Sequence, residues 1–218
     1  MRVSQKKEPD NTAGVWGPQA PGSQARAAAF ADTRTFDPAP CEACSPECKV
    51  RSYCRKGQYM IVSFDLDGVL FVDPVKYEIE QPLRYPFNRF YPDRLRKGTV
   101  DLIHRLKNEK FQVWVYTSSY RRERYIKGIF WHYHVKFDKI INGTRHDREV
   151  QRNRKQRLPS KLPSFYRISL HIDDEESVMK NGQTYGFRVL RVSEPDPLWA
   201  EKVLQEAIRI REIENRGK

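Results

Sequence analysis

The sequence predicts an α/β protein with a three-layer, Rossmann-like and mostly parallel sheet. Apolar runs of strand length alternate along the chain with segments of helical periodicity, which is the pattern of successive βαβ units. Three of the strand runs also end in carboxylate or hydroxyl side chains. Because the carboxyl ends of parallel strands share one edge of a sheet, a functional site is expected at that edge.

The chain before the first strand shows no pattern of a packed core. Residues 1–38 are rich in Ala, Gly, Pro, Gln and Ser, and they are predicted to form a disordered tail. Residues 39–56 contain every cysteine of the chain in one short cluster. Residues 57–214 carry the alternating pattern and are predicted to form the α/β domain.

Strands are predicted wherever a short apolar run, rich in β-branched and aromatic residues, lies between turn residues. Such runs are too short for core helices and carry no helical period. The predicted strands are residues 59–65, 111–117, 137–141, 167–173 and 186–192.

Helical periodicity lies between and after these strands. The helix after Gly98 places Val100, Ile103 and Leu106 on one face, together with Leu102. A second helix is predicted between the second and third strands, and an amphipathic helix runs from residue 197 to about 211. The apolar stripe of this last helix is predicted to consist of Trp199, Val203, Leu204, Ala207 and Ile208.

Composition narrows the class of protein. The 40 lysine and arginine residues outnumber 28 aspartate and glutamate residues, which gives a formal charge of +12 in 218 residues and favours polyanionic partners or substrates, including nucleic acid. A basic surface without such a role is the alternative. No apolar run reaches the roughly 18 residues of a membrane span, and the N-terminus lacks the apolar core of a secretory signal. The prediction is a cytoplasmic protein without a membrane partner.

The cysteines are spaced C-x2-C-x3-C-x5-C. A disulfide scaffold would distribute its cysteines along the chain, whereas four thiolates in one window suit a tetrahedral Zn²⁺ ion. An iron–sulfur cluster and unligated or redox-sensitive thiols are the alternatives. The predicted zinc ligands are Cys41, Cys44, Cys48 and Cys54.

The polar strand ends predict a metal site. Asp65 and Asp67 follow the first strand, Thr117 follows the second, and Asp173 and Asp174 follow the fourth. Carboxylates gathered at one edge repel one another, so a hard dication is expected among them, and Mg²⁺ prefers carboxylate and phosphate oxygens. The spacing of the first pair suits a division of labour, with Asp65 as metal ligand and nucleophile and Asp67 as acid and base.

Three motifs, in order and at matching spacing, resemble those of the haloacid dehalogenase-like (HAD-like) hydrolases, most of which are phosphatases. They are DLDGVL at residues 65–70, VWVYT at residues 113–117 and LHIDD at residues 170–174. The resemblance covers about residues 58–212. It implies a HAD-like fold and a Mg²⁺-dependent hydrolysis of a phosphate monoester through an aspartyl-phosphate.

The resemblance also implies roles for single residues. Asp65 would attack phosphorus and bind Mg²⁺. Asp67 would protonate the leaving oxygen, then activate water, and would ligate the metal through its backbone carbonyl. Thr117 would hydrogen-bond the phosphoryl group, and Asp173 and Asp174 would hold the metal. The aspartate at position 67 favours the phosphatase branch of the family over its dehalogenases and ion pumps.

The family also uses one lysine to shield the nucleophile and the phosphate. Two residues compete for this role, Lys161 and Lys155. Lys161 is preferred because Pro159 and Pro163 would hold its loop at the start of the fourth strand. A solvated loop lysine is the alternative reading of Lys161.

The segments between motifs are too short for a large cap domain, so an open site and a large phosphorylated substrate, a nucleic-acid end or a phosphoprotein, are expected by analogy. A second basic run covers residues 145–161. The alternative function is a non-catalytic HAD-fold binding module that holds nucleic acid or protein on a basic face. Basic and aromatic residues that interleave after the first motif are Arg84, Arg89, Arg94, Arg96, Tyr85, Phe87, Phe90 and Tyr91.

His132 and His134 are predicted to be structural, and the four tryptophans are predicted to be core or helix-packing residues. His132 and His134 are two apart on a predicted helix, which points them to different faces. His171 lies on the fourth strand and is predicted to be a polar core residue rather than a metal ligand.

Overall fold

The computed structural model describes residues 60–152, 158–192 and 194–216. The predicted tail, the cysteine cluster with its predicted zinc site, and Lys155 lie outside the described residues.

The predicted fold class is confirmed. The described chain forms one five-stranded sheet in the order β3-β2-β1-β4-β5, and every strand pair in it is parallel. The strand that carries the first acidic motif is central, between the two strands that carry the other motifs. The strands are β1 Ile61–Phe64, β2 Gln112–Tyr116, β3 Lys139–Ile141, β4 Leu170–Asp173 and β5 Val189–Arg191.

Helices connect these strands in the manner of βαβ units. None of those that the structure describes is both long and apolar enough to cross a membrane. A π-helical turn covers Asp147–Gln151 and a 3-10 turn covers Pro163–Tyr166. The α-helices are α1 Phe87–Phe90, α2 Thr99–Asn108, α3 Glu123–His132, α4 Gly143–His146, α5 Glu176–Tyr185 and α6 Trp199–Arg216.

Alternation of side chains along the strands produces three layers. Val62 and Phe64 of β1 point into the main core, which is covered by α2, α3 and α6. The next strand positions point to the opposite face, where Tyr116 and Ile141 pack in a smaller cluster. A further cluster there includes Val178 of α5. The larger core stabilises the sheet, and the smaller clusters support the polar side chains of the site.

Every predicted strand is present, but each is shorter than its apolar run because the ladder ends where the neighbouring strand ends. The prediction missed α5. This helix buries only Val178 and Gly182, so its apolar period is weak. On α6 the prediction of Ile208 was partly wrong, since Ile210 is the buried residue and Ile208 is only half-buried.

Two predictions about aromatic and histidine side chains need correction. His134 is not on a helix, because α3 ends at His132 and His134 follows in a turn with φ 57°. His132 packs against Phe87, with the ring centroids 4.2 Å apart. Trp131 is not a core residue, since 71% of it is exposed at the end of α3.

Arg96 also lies elsewhere than predicted. It was grouped with the basic surface, but it is 2% exposed. Its guanidinium lies over the rings of Tyr77 and Trp199, and it donates to the carbonyls of Val192 and Glu194. Arg96 therefore ties α6 and its preceding loop to the rest of the domain, and it is not available to a polyanion.

Candidate active site

The carboxyl edge of the sheet brings three predicted metal ligands together. Asp65 follows β1, Asp173 ends β4, and Asp174 comes next. One carboxylate oxygen from each lies within 4.8 Å of the others. Because β1 and β4 are neighbours in parallel register, with Phe64 opposite Ile172, residues that are far apart in sequence meet at one point.

Lys161 lies between two of these carboxylates. Its Nζ is 2.9 Å from Oδ2 of Asp65 and 2.6 Å from Oδ2 of Asp173. The lysine is 1% exposed, and the two carboxylates are also buried. A buried cation is tolerated when it is paired and hydrogen-bonded, as Lys161 is with these two carboxylates. Its role as the family lysine stays a prediction.

These three groups shift one another's ionisation. Burial raises the pKa of Asp65. Lys161 and the hydroxyl of Thr117 lower this pKa and the charge of Asp173 raises it, and the net shift is upward. Burial would also raise the pKa of Asp173, but hydrogen bonds from His171 and Lys161 lower it to about 2. Burial disfavours the charge on Lys161, yet the two carboxylates outweigh burial and raise its pKa. Lys161 and Asp173 therefore both favour their charged forms and make an ion pair, whereas burial disfavours the charged form of Asp65.

His171 contacts the same carboxylate oxygen of Asp173 as the lysine does. Its Nε2 lies 2.9 Å from Oδ2 of Asp173 and its Nδ1 lies 2.9 Å from the hydroxyl of Ser63. A carboxylate only accepts, so Nε2 is the donor in the contact with Asp173. The histidine is completely buried, as the prediction of a polar core residue required.

The acidic cluster fits a hard dication. Oδ1 of Asp65 is buried and has no hydrogen-bond partner among the described residues. An unpaired buried carboxylate oxygen is costly, and a metal ion would satisfy it. Asp65, Asp173 and Asp174 supply only oxygen donors, which Mg²⁺ prefers to softer ligands. The residues present therefore fit Mg²⁺, which Asp65, Asp173 and Asp174 would hold.

Gly68 lets Asp174 approach the loop after β1. The glycine has φ 78°, which L-residues rarely adopt. A Cβ atom on Gly68 would lie 2.5 Å from Cγ of Asp174, inside van der Waals contact. The glycine of the DxDG motif is therefore required by backbone conformation and by the space that Asp174 occupies.

A Gly68→Ala substitution is expected to damage the metal site more than the fold. The left-handed backbone costs about 1–2 kcal/mol for alanine, and displacement of Asp174 should lower Mg²⁺ affinity by about 10–100-fold. Isothermal titration with Mg²⁺ and urea unfolding measure the two effects. Gly186→Ala is the matched control, because Gly186 has φ 68° but nothing within 4 Å of the added carbon. Equal Mg²⁺ affinity in both variants would contradict the proposed contact.

Thr117 and Asp67 are predicted site residues outside the three-carboxylate cluster. Thr117 is buried after β2, and its Oγ1 accepts the backbone N–H of Ser119 at 3.1 Å. The side chain of Asp67 is 54% exposed and is not among the clustered carboxylates; its Oδ2 accepts from Nη1 of Arg121 at 2.6 Å. Ligation by the Asp67 carbonyl stays a prediction. Arg121 was not predicted, because nothing in its local sequence indicates a partner so far along the chain.

The loop that carries Lys161 is held by a buried tyrosine that the sequence did not indicate. The backbone N–H of Leu162 donates to the hydroxyl of Tyr116 at 2.6 Å, and Nδ1 of His146 lies 2.7 Å from the same hydroxyl. Gln151 adds two hydrogen bonds to the backbone of Leu158. These contacts place Lys161 at the site from the opposite face of the sheet.

Removal of that hydroxyl, in Tyr116→Phe, is expected to lower the free energy of unfolding by about 1–3 kcal/mol, because it leaves the Leu162 N–H buried and unpaired. Urea unfolding measures the change. Tyr185→Phe, at a partly exposed position, is the control and should differ from wild type by no more than about 0.5 kcal/mol. If Tyr116→Phe is as stable as this control, the tyrosine does not hold the loop.

Comparisons with known proteins give similarity in fold only to distant structures. No family model and no curated protein matches the sequence. The chain is similar to a HAD-superfamily hydrolase, subfamily IA, from Geobacter sulfurreducens, with 13% identity, a TM-score of 0.40 and coverage of 64% of this chain and 89% of that one. An uncharacterized protein from Listeria monocytogenes serotype 4b shows 14% identity and a TM-score of 0.44, covering 70% and 99% of the two chains.

A third similar structure, from Porphyromonas gingivalis, is described as a predicted HAD-like family hydrolase. It shows 14% identity and a TM-score of 0.42, with coverage of 69% of this chain and 98% of that one. The assignment of chemistry to this chain therefore depends on the residues of its own site.

Proposed function

We propose that this protein is a Mg²⁺-dependent phosphatase of the HAD-like type that hydrolyses a phosphate monoester through an aspartyl-phosphate on Asp65. The observation that carries the proposal is the contact of Lys161 with Asp65 and Asp173, beside Asp174, at the edge where the three family-like motifs converge. A buried nucleophile, a buried cation and a set of oxygen donors are the parts that phosphoryl transfer requires.

In the first half-reaction a carboxylate oxygen of Asp65 forms a bond to phosphorus while the bond from phosphorus to the leaving oxygen breaks. The electron pair of that bond goes to the leaving oxygen, which receives a proton from Asp67. Lys161, in contact with Asp65, offsets the negative charge of the nucleophile and of the arriving phosphoryl group. Thr117 donates a hydrogen bond to a phosphoryl oxygen.

In the second half-reaction a water oxygen attacks the phosphorus of the aspartyl-phosphate. Asp67 takes the proton of that water, the bond between phosphorus and Asp65 breaks, and inorganic phosphate leaves. Bound Mg²⁺ would supply neutralisation of charge on the phosphoryl oxygens. Asp65, Asp173, Asp174 and the carbonyl of Asp67 are the groups proposed to hold it.

A direct assay tests this function. Phosphate release from p-nitrophenyl phosphate is expected with Mg²⁺, and EDTA is expected to stop it.

The second candidate is a non-catalytic binding module of the same fold, which the exposed arginines of residues 84–90 favour. A folded protein that binds polyanions but releases no phosphate from a broad set of esters would support the module and contradict the enzyme.

The proposed substrate is large, a phosphorylated nucleic-acid end or a phosphoprotein. Between Val72 and Gly98 the chain contributes the four-residue helix α1 and isolated bridges at Ile79, Leu95 and Arg96 rather than a globular domain. Arginine and aromatic side chains on this segment could contact a phosphate backbone and bases. The exposed members are Arg84, Tyr85, Phe87, Arg89 and Phe90.

A substrate screen tests this part of the proposal by itself. Phosphate release from 5′- or 3′-phosphorylated oligonucleotides or from phosphopeptides is expected to exceed release from small metabolite esters. Activity on small esters without activity on either class of macromolecule would contradict a large substrate and leave the phosphatase proposal intact. Cytoplasmic localisation stays a prediction.

A further inference from the structure

We propose that Arg121 is a positioning residue that orients the carboxylate of Asp67 for hydrolysis of the aspartyl-phosphate. The inference rests on the proposed function and adds a residue outside the three motifs. It starts from the ion pair at 2.6 Å between Nη1 of Arg121 and Oδ2 of Asp67. This pair joins the loop after β1 to the segment after β2, 54 positions along the chain.

The guanidinium of Arg121 is itself fixed in place. Nη1 also donates to the hydroxyl of Ser119 at 2.9 Å, and Nη2 donates to Oδ1 of Asp93 at 3.3 Å. The guanidinium carbon lies 5.6 Å from the ring centroid of Phe71. An arginine fork with two carboxylates, a hydroxyl and an aromatic face around it has little freedom to turn. The guanidinium can therefore hold the carboxylate of Asp67 in a defined position.

The backbone of Arg121 is anchored as well. Its carbonyl accepts from Nδ2 of Asn142 at 2.8 Å, and its N–H donates to Oγ of Ser119 at 3.3 Å. Asn142 also caps α4 by accepting the N–H of Arg145. The segment after β2 is thus tied to the segment after β3 at the carboxyl edge of the sheet.

Asp93 and Tyr125 complete the support. Asp93 accepts from Arg121 with Oδ1 and from the hydroxyl of Tyr125 with Oδ2 at 2.7 Å. Tyr125 belongs to α3, so the chain of contacts runs from a rigid helix through Asp93 and Arg121 to Asp67. A surface ion pair made only for stability contributes about 0–1 kcal/mol and needs no such support.

Orientation matters at Asp67 because its side chain is half-exposed. Without Arg121 the carboxylate would sample several rotamers, and only some of them bring an oxygen to the attacking water. Misplacement of a catalytic group by about 1 Å can cost about 100-fold in rate. Because Oδ2 accepts from Arg121, the proposal leaves Oδ1 as the oxygen that exchanges the proton.

The two half-reactions depend on Asp67 to different extents. With p-nitrophenyl phosphate the leaving group is stable as an anion, so formation of the aspartyl-phosphate needs little help from a proton donor. Hydrolysis of that intermediate still needs a base for the attacking water. Loss of Arg121 should therefore slow the second half-reaction selectively and cause the aspartyl-phosphate to accumulate.

The test uses the full chain with Mg²⁺ and p-nitrophenyl phosphate, comparing Arg121→Met with wild type. The expected result is a fall in kcat of about 10–100-fold. Rapid mixing followed by acid quench and intact-mass analysis should show a higher steady-state fraction of singly phosphorylated chain than in wild type. Arg124→Met, an exposed neighbour on α3, is the control and should match wild type in both readings.

A conservative variant and chemical rescue keep the test decisive if Arg121→Met folds poorly. Arg121→Lys retains the charge but not the fork, so it should show a smaller fall in kcat and a smaller accumulation of phosphorylated chain than Arg121→Met. Guanidinium ion added at low concentration to Arg121→Ala should restore part of the rate. Neither result is expected from a residue that only stabilises the fold.

Three results would overturn the inference. One is a fall in kcat without accumulation of the phosphorylated chain. Another is an increase in KM alone, which would assign Arg121 to substrate binding. The third is behaviour of Arg121→Met equal to that of Arg124→Met. In each case an active wild type leaves the proposed function standing, whereas an inactive wild type refutes the proposed function and the inference together.

Discussion

Asp65→Asn is expected to lower kcat/KM for phosphate release by at least about 1,000-fold. The substitution keeps the size of the side chain but replaces the carboxylate by an amide, which is a poor nucleophile. Burial already penalises the charge of Asp65, as its raised pKa shows. Loss of that charge should therefore leave the fold intact, with Lys161 still paired to Asp173.

The control for this experiment is Asp101→Asn, which makes the same chemical change at an exposed position of α2. Both variants should show wild-type circular dichroism, and only Asp65→Asn should lose phosphate release and the phosphorylated intermediate. Retention of more than about one tenth of the wild-type rate by Asp65→Asn would exclude Asp65 as the nucleophile.

Lys161→Met is expected to affect both stability and activity. Among the described residues, it removes the lysine that contacts both Asp65 and Asp173. Breaking a buried pair by removal of one partner costs about 3–5 kcal/mol, since the remaining charge is uncompensated. The free energy of unfolding should fall by about that amount near neutral pH, and phosphate release by at least about 100-fold.

The dependence on pH checks the cause of this destabilisation. Lys161 lowers the pKa of Asp65 against the effect of burial, so its removal raises that pKa further above the unfolded value. A group whose pKa is raised by folding contributes stability at low pH that is lost as pH rises through the folded pKa. The stability difference between wild type and Lys161→Met should therefore be smaller at about pH 5 than at about pH 8.

Urea unfolding at both pH values measures this effect, with Lys136→Met as an exposed control. The control should stay within about 0.5 kcal/mol of wild type at either pH. A destabilisation of Lys161→Met that does not change with pH would indicate lost packing of the lysine stem rather than uncompensated carboxylates.

The fold class was predictable because its signals are local. Strand-length apolar runs such as residues 111–117 must be buried on both sides, and alternation with helices makes a parallel sheet the simplest arrangement. The same reasoning predicted that Asp65, Thr117 and Asp173 would share one edge. It failed for α5, because that helix buries too few side chains to show a period.

The contacts of the site were not predictable in the same way. Local sequence left Lys161 and Lys155 in competition, and the position of the loop places Lys161 at Asp65. Arg96 looked like a surface arginine until the rings of Tyr77 and Trp199 enclosed it. These contacts depend on which side chains, distant in the sequence, the folded domain brings together.

The sequence alone therefore determined the α/β class, which strands end in polar side chains, and the gathering of carboxylates at one edge of the sheet. These follow from the hydrophobic period and from the parallel topology. Only the tertiary structure decided the partners of each charge: Lys161 with Asp65, Arg121 with Asp67, and Tyr116 with the loop at Leu162. The partners in such pairs are far apart in the sequence. Leu162 is 46 positions from Tyr116, and His171 is 108 positions from Ser63. They form because buried polar groups must find partners, and the partner is set by the packing of the whole domain.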